Sequence, residues 1–210
     1  DATNWTKYGT TPGRLLNNPE LKPEKVKNLE LNNSLIINNN FIAEVAVYNS
    51  NYEGVVGTAD VTFIDENGNI IATTQHQAIG SLHILGAQAE VKYRKNGNSA
   101  YLNYTYTNPH NTDGDKKVRI GDIADRQINL GGYTTIKEKF IASLRIVWVG
   151  EKPTGINTTI SSNPYNKIDA YTVVYTTLTY NISKHFSLQG TINNVLDKEY
   201  FHPGVRSANG

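Results

Sequence analysis

Apolar and polar residues alternate along much of the chain, as they do in strands that have two unlike faces. In residues 186–193, Phe186, Leu188 and Ile192 fall on one side and polar residues occupy the positions between them, because successive side chains of a strand point to opposite faces. Repeats of this pattern predict about eight strands. Their approximate bounds are Lys25–Ile37, Phe41–Tyr52, Leu82–Arg94, Ser99–Thr107, Arg126–Thr134, Phe140–Val149, Tyr171–Tyr180 and Phe186–Asn193.

The connections between these strands alternate in length. Two of the short ones, Asn38–Asn40 and Lys95–Asn98, are rich in Asn, which tolerates the left-handed backbone of tight turns, and Asn96-Gly97 is the strongest such signal. We also expect a small hairpin inside the first long connection, with Val61–Ile64 and Ile70–Thr74 flanking a turn at Asp65–Asn69. The predicted short turns are Asn38–Asn40, Lys95–Asn98, Ile136–Lys139 and Asn181–His185, and the predicted long loops are Gly54–Gln77, Asn108–Ile123 and Gly150–Asp169.

This alternation of short turns and long loops is typical of outer-membrane barrels, in which short turns lie on one side of the membrane and long loops on the other. Loops of soluble sandwiches vary in length without such a rhythm. Composition agrees with strands and turns, since the chain holds 13 Tyr and 17 Gly. The pattern therefore predicts an all-β fold, an antiparallel up-and-down meander.

Composition and charge exclude several classes of protein. The chain has no cysteine, which excludes a disulfide framework and a thiolate metal site. A net charge of +1 from 20 basic and 19 acidic residues gives no reason to expect nucleic acid as a partner. A transmembrane helix needs about 18 consecutive apolar residues, and no such run occurs. A search for such runs does not detect barrel strands, because only every second residue of these strands is apolar.

Four segments carry a resemblance to a known family. Residues Asn193–Tyr200, Asn-Asn-Val-Leu-Asp-Lys-Glu-Tyr, resemble the N-N-L-F-D-K-x-Y signature near the C-terminus of TonB-dependent outer-membrane receptors. Residues Asn18–Glu24 are similar to the N-P-x-L-x-P-E motif that precedes a strand in the same family. Residues Gly121–Gly131 resemble D-I-A-x-x-x-x-N-L-G, and Leu144–Gly150 resemble R-x-x-Y-V-G with Trp148 at the aromatic position.

The resemblance implies an architecture for the whole chain. Residues 1–210 are expected to be the C-terminal part of a transmembrane barrel of about 22 strands, contributing about eight of them. Because the chain begins at Asp1 and ends on Asn209-Gly210, we interpret it as a fragment, with the plug domain and the last strand outside it. Such a fragment is an open sheet with two unpaired edges.

The resemblance also implies a function. It predicts an active-transport receptor of the cell outer membrane that takes up a scarce nutrient, with a ferric siderophore ahead of cobalamin, haem or a glycan. The expected partners are outer-membrane lipid, the protein's own plug domain, TonB acting through that plug, and a small-molecule metal chelate or vitamin. No cofactor and no enzyme activity are expected, since no nucleophile and base stand together. Two alternatives remain open: a passive porin-like barrel, and a secreted soluble β-sandwich for binding or adhesion.

Strand alternation also assigns candidate residues to faces. The apolar faces are expected to meet lipid, with tyrosines and Trp148 near strand ends at the interface. The opposite polar positions would face the lumen, although the solvated side of a soluble sheet has the same pattern. The lumen-facing candidates are Glu90, Lys92, Asn103, Arg145 and Gln189.

Four residues are candidates for contact with a transported substrate. His202 and Tyr200 lie in a predicted extracellular loop together with Arg206, and His110 lies in another. For His202 in particular, loop packing explains the residue equally well. The five histidines match no compact set of metal ligands, so no metal site is predicted.

Overall fold

The computed structural model describes residues 7–10, 15–113, 116–121, 123–153 and 167–201. Strands make up most of these residues. No helix within the described ranges has the length and apolar character needed to cross a membrane. The strands are β1 (Leu15–Leu16), β2 (Lys25–Asn38), β3 (Phe41–Ile64), β4 (Ile70–Lys95), β5 (Asn98–Asp113), β6 (Lys116–Arg119), β7 (Arg126–Ile136), β8 (Phe140–Val149), β9 (Lys152–Pro153), β10 (Lys167–Ile168), β11 (Tyr171–Asn181) and β12 (Ser187–Ile192).

The long strands form one sheet in chain order. The order is β12, β11, β8, β7, β5, β4, β3, β2, while the short strands β1 and β6 pair with β4 and β5. Strands β9 and β10 form a separate antiparallel pair. The predicted antiparallel meander of eight long strands is confirmed. Within the described residues, β2 and β12 are the terminal strands of the order, so the expected open sheet is confirmed as well.

The short turns form where the sequence predicts them. In the first, Asn38 Oδ1 accepts hydrogen bonds from the backbone N–H groups of Asn40 at 2.8 Å and Phe41 at 3.2 Å. In the second, Asn96 and Gly97 have φ values of 47° and 74°, as a hairpin turn of this length needs. Lys137 and Glu138 have φ values of 48° and 57° in the third. Asn and Gly therefore explain the first two reversals, whereas Lys137 and Glu138 adopt positive φ without a local preference for it.

Two of the predicted long loops are wrong. The small hairpin predicted within residues 54–77 is confirmed, because β3 ends at Ile64 and β4 begins at Ile70. The rest of this range, expected to be a loop, instead continues β3 and β4. The segment contains no proline, and Gly54, with φ of 70°, absorbs a local distortion without ending the strand. Similarly, β5 extends to Asp113 and pairs with β6 inside the predicted loop at residues 108–123. Backbone pairing with a neighbouring strand extends these elements beyond what local pattern predicts.

The chain divides into two compact units. The first comprises residues 1–29, 49–84 and 109–119. Within it, β1 pairs in parallel with Thr74 and Gln75 of β4, and the Asn18 side chain donates a hydrogen bond to the His76 carbonyl at 2.8 Å. Glu24 accepts a hydrogen bond from the Val56 backbone N–H at 2.8 Å. The first and last residues of the Asn18–Glu24 motif thus both bind backbone.

The second unit comprises residues 30–48, 85–108 and 120–210. It contains the well-paired ladders of β5, β7, β8, β11 and β12. Leu130 pairs with Leu102 on one side and with Ile146 on the other. Because the pairing fixes which residues stand beside one another, it also fixes the two faces of this part of the sheet.

Candidate functional site

One face of the second unit is apolar across all five of these strands. A single row runs through Leu102, Leu130, Ile146 and Val174 on neighbouring strands. These side chains are not covered, since Leu102 is 47% exposed and Leu130 is 42% exposed. Leu144 and Leu178, in adjacent rows, are 49% and 53% exposed. Large apolar side chains that stay exposed over so wide a face mark a surface for an apolar neighbour.

Aromatic rings border this apolar face at both ends of the strands. Near the short turns, Phe140 stacks on Tyr180 with ring centroids 4.6 Å apart. At the opposite end, Trp148 of β8 pairs with Ile128, which in turn pairs with Tyr104 of β5. From Phe140 to Trp148 the strand rises about 26 Å at about 3.3 Å per residue. These nine residues fit the length of a transmembrane strand, which is about 9–11 residues at a tilt of about 45°. The aromatic residues lie at the strand ends, as the sequence pattern predicts.

The other face is largely polar along the same strands, although it also contains Ile141, Val147, Val149 and Val173. One row consists of Ser99, Tyr133, Ser143, Thr177 and Thr191, and it includes a hydrogen bond of 3.1 Å between the two threonine hydroxyls.

Three of the lumen-facing candidates, Asn103, Arg145 and Gln189, lie on this polar face. Gln189 donates a hydrogen bond to Thr179 Oγ1 at 3.2 Å. Strand alternation therefore assigns these three to a common face, and their position in a lumen stays a prediction.

The other two lumen-facing candidates, Glu90 and Lys92, belong to one ion cluster. The Lys92 ammonium lies 2.9 Å from Glu44 Oε2 and also contacts the Glu90 carboxylate. Lys92 and Tyr101 line the same concavity, which has a volume of about 500 Å³. One ammonium group is matched here by two carboxylates, and Arg94 lines the same concavity.

Arg145 is in a different situation. Its guanidinium lies 5.6 Å from the ring centroid of Tyr175, its pairing partner on β11. On the other side it pairs with the buried Gly131 of β7, and the ring of Tyr101 covers this glycine. Sequence analysis identifies Arg145 and misses the neighbouring roles of Tyr101 and Tyr175, because only the register brings these rings beside it.

The segment after β12 folds along β11. Asn194 accepts a hydrogen bond from the Lys198 N–H at 3.0 Å and donates one to the Lys198 carbonyl at 3.1 Å. The Val195 N–H donates to the Val174 carbonyl at 2.8 Å. Tyr200 then stacks on Tyr171 with ring centroids 4.6 Å apart. The signature Asn193–Tyr200 thus forms an ordered turn, and Tyr200 packs against the sheet.

The remaining substrate-contact candidates are not brought together by the described residues. His110 is half-buried on β5, opposite Arg119 of β6, and it belongs to the first unit, whereas Tyr200 belongs to the second. His202 and Arg206 lie outside the described residues. Within the described ranges, no group of three or more His, Cys, Asp or Glu side chains is arranged to hold a metal ion. A substrate contact for these four residues stays a prediction.

Comparison with known proteins identifies a family. A family model described as "TonB dependent receptor-like, beta-barrel" matches residues 1–195. The ferric-catecholate import receptor Fiu of E. coli K12 superposes with a TM-score of 0.68 at 14% identity, over 95% of this chain and 26% of Fiu.

Two further solved structures superpose equally well. The FrpB iron transporter of Neisseria meningitidis (F3-3 variant) has a TM-score of 0.69 at 15% identity, over 90% of this chain and 29% of FrpB. The siderophore receptor PirA of Acinetobacter baumannii has a TM-score of 0.68 at 17% identity, over 88% of this chain and 29% of PirA. The chain thus spans less than a third of each structure. No curated protein sequence matches it significantly.

Proposed function

The chain belongs to the TonB-dependent receptor β-barrel family, and from this premise we propose that it forms part of the wall of an outer-membrane receptor that takes up a scarce nutrient. The observation that carries the proposal is the division of the sheet into an exposed apolar face and a polar face. A barrel wall needs this division, because one face meets lipid and the other lines an aqueous or plugged lumen.

The rest of the receptor completes the wall. Every described residue of the terminal strands β2 and β12 is exposed, and an unpaired strand edge in a bilayer is costly because lipid satisfies no backbone hydrogen bonds. In this proposal both edges pair with further barrel strands of the whole protein, including a last strand after β12. The plug domain lies within the barrel and transmits energy from TonB.

A ferric siderophore is the proposed cargo. Support comes from proteins of the same fold, among them a ferric-catecholate import receptor and a siderophore receptor. Cobalamin, haem and a glycan follow as cargo classes. The segment itself would supply barrel wall, lumen lining and parts of the extracellular loops, whereas energy coupling would be the task of the plug. The receptor family gives no reason to expect catalysis.

The soluble sandwich and the passive barrel each differ from the proposed receptor in a feature that can be tested. A soluble sandwich buries its apolar faces between two sheets, whereas Leu130, Leu144 and Leu178 are 42–53% exposed here. A passive porin-like barrel has the same two faces but needs neither a plug nor an energy source. It is therefore distinguished by the energy dependence of uptake.

Growth of a deletion strain tests the proposal. The gene for the whole receptor is deleted, and the strain is grown under iron limitation with single sources: a ferric catecholate, a ferric hydroxamate, haem or, separately, cobalamin or glycans. We expect growth to fail on one source and to be restored by the whole gene. We also expect short-term uptake of that source by wild-type cells to stop when a protonophore collapses the proton-motive force. Unchanged growth on every source would contradict a role in nutrient uptake, and uptake that persists without proton-motive force would indicate a passive barrel.

A further inference from the structure

Arg145 carries the only charge on the polar face of β5, β7, β8, β11 and β12, counted over the residues that pair in these ladders. Twenty-odd positions share this face, and apart from Arg145 they are Ser, Thr, Asn, Gln, Tyr, Gly, Val and Ile. A single positive charge among neutral polar side chains makes this part of the face attractive to an anion.

The guanidinium of Arg145 has no carboxylate to neutralise it in the described part of the chain. Arg145 is exposed, and its one close interaction is with the ring of Tyr175, whose centroid lies 5.6 Å away. A cation–π contact with a ring uses no N–H donor in a hydrogen bond to an oxygen. Arg145 therefore retains the planar, forked donor set that binds a carboxylate with two parallel hydrogen bonds.

Two tyrosines lie beside Arg145 in its row across the sheet. Gly131, beside Arg145 on β7, has no side chain, and the ring of Tyr101 occupies the space. A Cβ atom at Gly131 would lie 2.7 Å from Tyr101 Oη, so the fit between ring and glycine is close. Arg145 is thus flanked along its row by two tyrosines, whose phenol groups can also bind an anionic oxygen.

Lys92, another of the lumen-facing candidates, has different electrostatic surroundings from Arg145. Its ammonium is already matched by the carboxylates of Glu44 and Glu90. The Lys92 ammonium is thus opposed by nearby carboxylates, whereas an anion that approaches Arg145 meets a positive charge with no carboxylate beside it among the described residues.

We infer that Arg145, flanked by Tyr101 and Tyr175, is a binding point for a carboxylate or a similar anionic oxygen group. Two sources share this chemistry: an Asp or Glu of the receptor's own polypeptide outside the described residues, and a free anion that passes through the lumen. The inference rests on the proposed function only in taking the polar face to line a lumen.

Chemical labelling of Arg145 distinguishes these sources. The purified full-length receptor is treated with phenylglyoxal, which modifies free arginines, and labelling of the Arg145 peptide is followed by mass spectrometry with and without millimolar citrate. If the receptor's own carboxylate pairs with Arg145, we expect labelling to be several-fold slower than in the unfolded protein, with or without citrate. If a free anion binds, we expect rapid labelling that citrate slows several-fold. Rapid labelling that is unaffected by citrate would overturn the inference.

A pair of variants separates ion pairing from mere inaccessibility. Arg145→Gln removes the guanidinium, and Lys139→Gln makes the same change of charge in the turn of the same hairpin. Where labelling of the native receptor is slow, we expect Arg145→Gln to melt at a lower temperature than Lys139→Gln, because Arg145→Gln leaves a carboxylate unpaired. Arg145→Lys should recover part of this loss in melting temperature. Equal melting temperatures would show that Arg145 is only shielded, and would overturn the inference. Neither readout requires transport, so failure here differs from failure of the growth test.

Discussion

Single residues tie neighbouring strands together through pairs of a large ring and a glycine. The Tyr48 ring covers Gly86 on the adjacent strand, and its hydroxyl lies 3.2 Å from Thr107 Oγ1. The Tyr101 ring covers Gly131 in the same way. A side chain at either glycine position would occupy the space that the ring now fills. These contacts therefore fix the register of the strands as well as their packing. Glycine is required at such positions because of what lies opposite, which the local sequence does not reveal.

Gly132 and Gly190 both lie on the apolar face. Together they test whether the atoms opposite a glycine determine the need for it. A Cβ atom at Gly132 would lie 3.0 Å from the Ala100 Cα and would collide with the Ser99 carbonyl oxygen, whereas at Gly190 no atom lies within 4 Å. We expect Gly132→Ala to destabilise the full-length receptor by about 1–3 kcal/mol, because β5 and β7 must separate. Gly190→Ala should be neutral or slightly stabilising. Urea unfolding in lipid vesicles measures both, and equal effects would contradict this account.

At the scale of strands and turns, the sequence predicts what local chemistry controls. Alternation locates β8 at Phe140–Val149, and Asn96-Gly97 places a hairpin turn, both as observed. Alternation also assigns Arg145 and Gln189 to the polar face. The extension of β3 to Ile64 is missed, because it depends on backbone pairing with β4. The ion pair of Lys92 with Glu44 is missed for a similar reason, since the two residues lie 48 positions apart in the chain.

The turn at the end of the β3–β4 hairpin is expected to depend on pH. Asp65 accepts hydrogen bonds from the Asn69 side chain at 3.0 Å, from the Asn69 N–H at 2.8 Å and from the Asn67 N–H at 2.9 Å. These bonds hold the pKa of Asp65 below its ordinary value of 3.8, and the bond from the Asn69 side chain has the largest effect. A lowered pKa means that the carboxylate stabilises the turn above the unfolded-state pKa, and that this stabilisation is lost as the pH falls through the folded-state value.

Hydrogen exchange measures this dependence. After correction for the intrinsic pH dependence of exchange, we expect protection of the Asn67 and Asn69 amides to be constant from neutral pH down to about pH 4 and to fall below it. Asp65→Ala should show low protection at every pH. Protection of the native turn that persists well below this range would indicate that the carboxylate does not hold the turn.

At the scale of the whole molecule, the described sheet has two free edges and one exposed apolar face. The sequence predicts both features, because apolar residues alternate in strand after strand and the motifs resemble those of a larger barrel. What the sequence alone does not provide is the pairing between strands, which turns separate alternations into a continuous band through Leu102, Leu130 and Ile146. In the proposed receptor, lipid covers this band and further strands cover the edges.

Production of the 210-residue chain by itself tests the need for those neighbours. We expect it to aggregate in detergent-free buffer, since free strand edges and a wide apolar face both promote association. Analytical ultracentrifugation measures its size, with the full-length receptor in detergent as the control. A compact monomer that unfolds cooperatively without detergent would favour the soluble sandwich instead.

The central claim is that the apolar face meets lipid and the polar face does not. Because the chain contains no cysteine, single cysteines introduced at residues 142–147 of β8, in a full-length receptor without other cysteines, carry a fluorescent probe into vesicles with brominated acyl chains. We predict that lipid quenches the probes at Ala142, Leu144 and Ile146, and that probes at Ser143, Arg145 and Val147 escape quenching. Quenching without this two-residue period, or stronger quenching at the second set, would contradict the account.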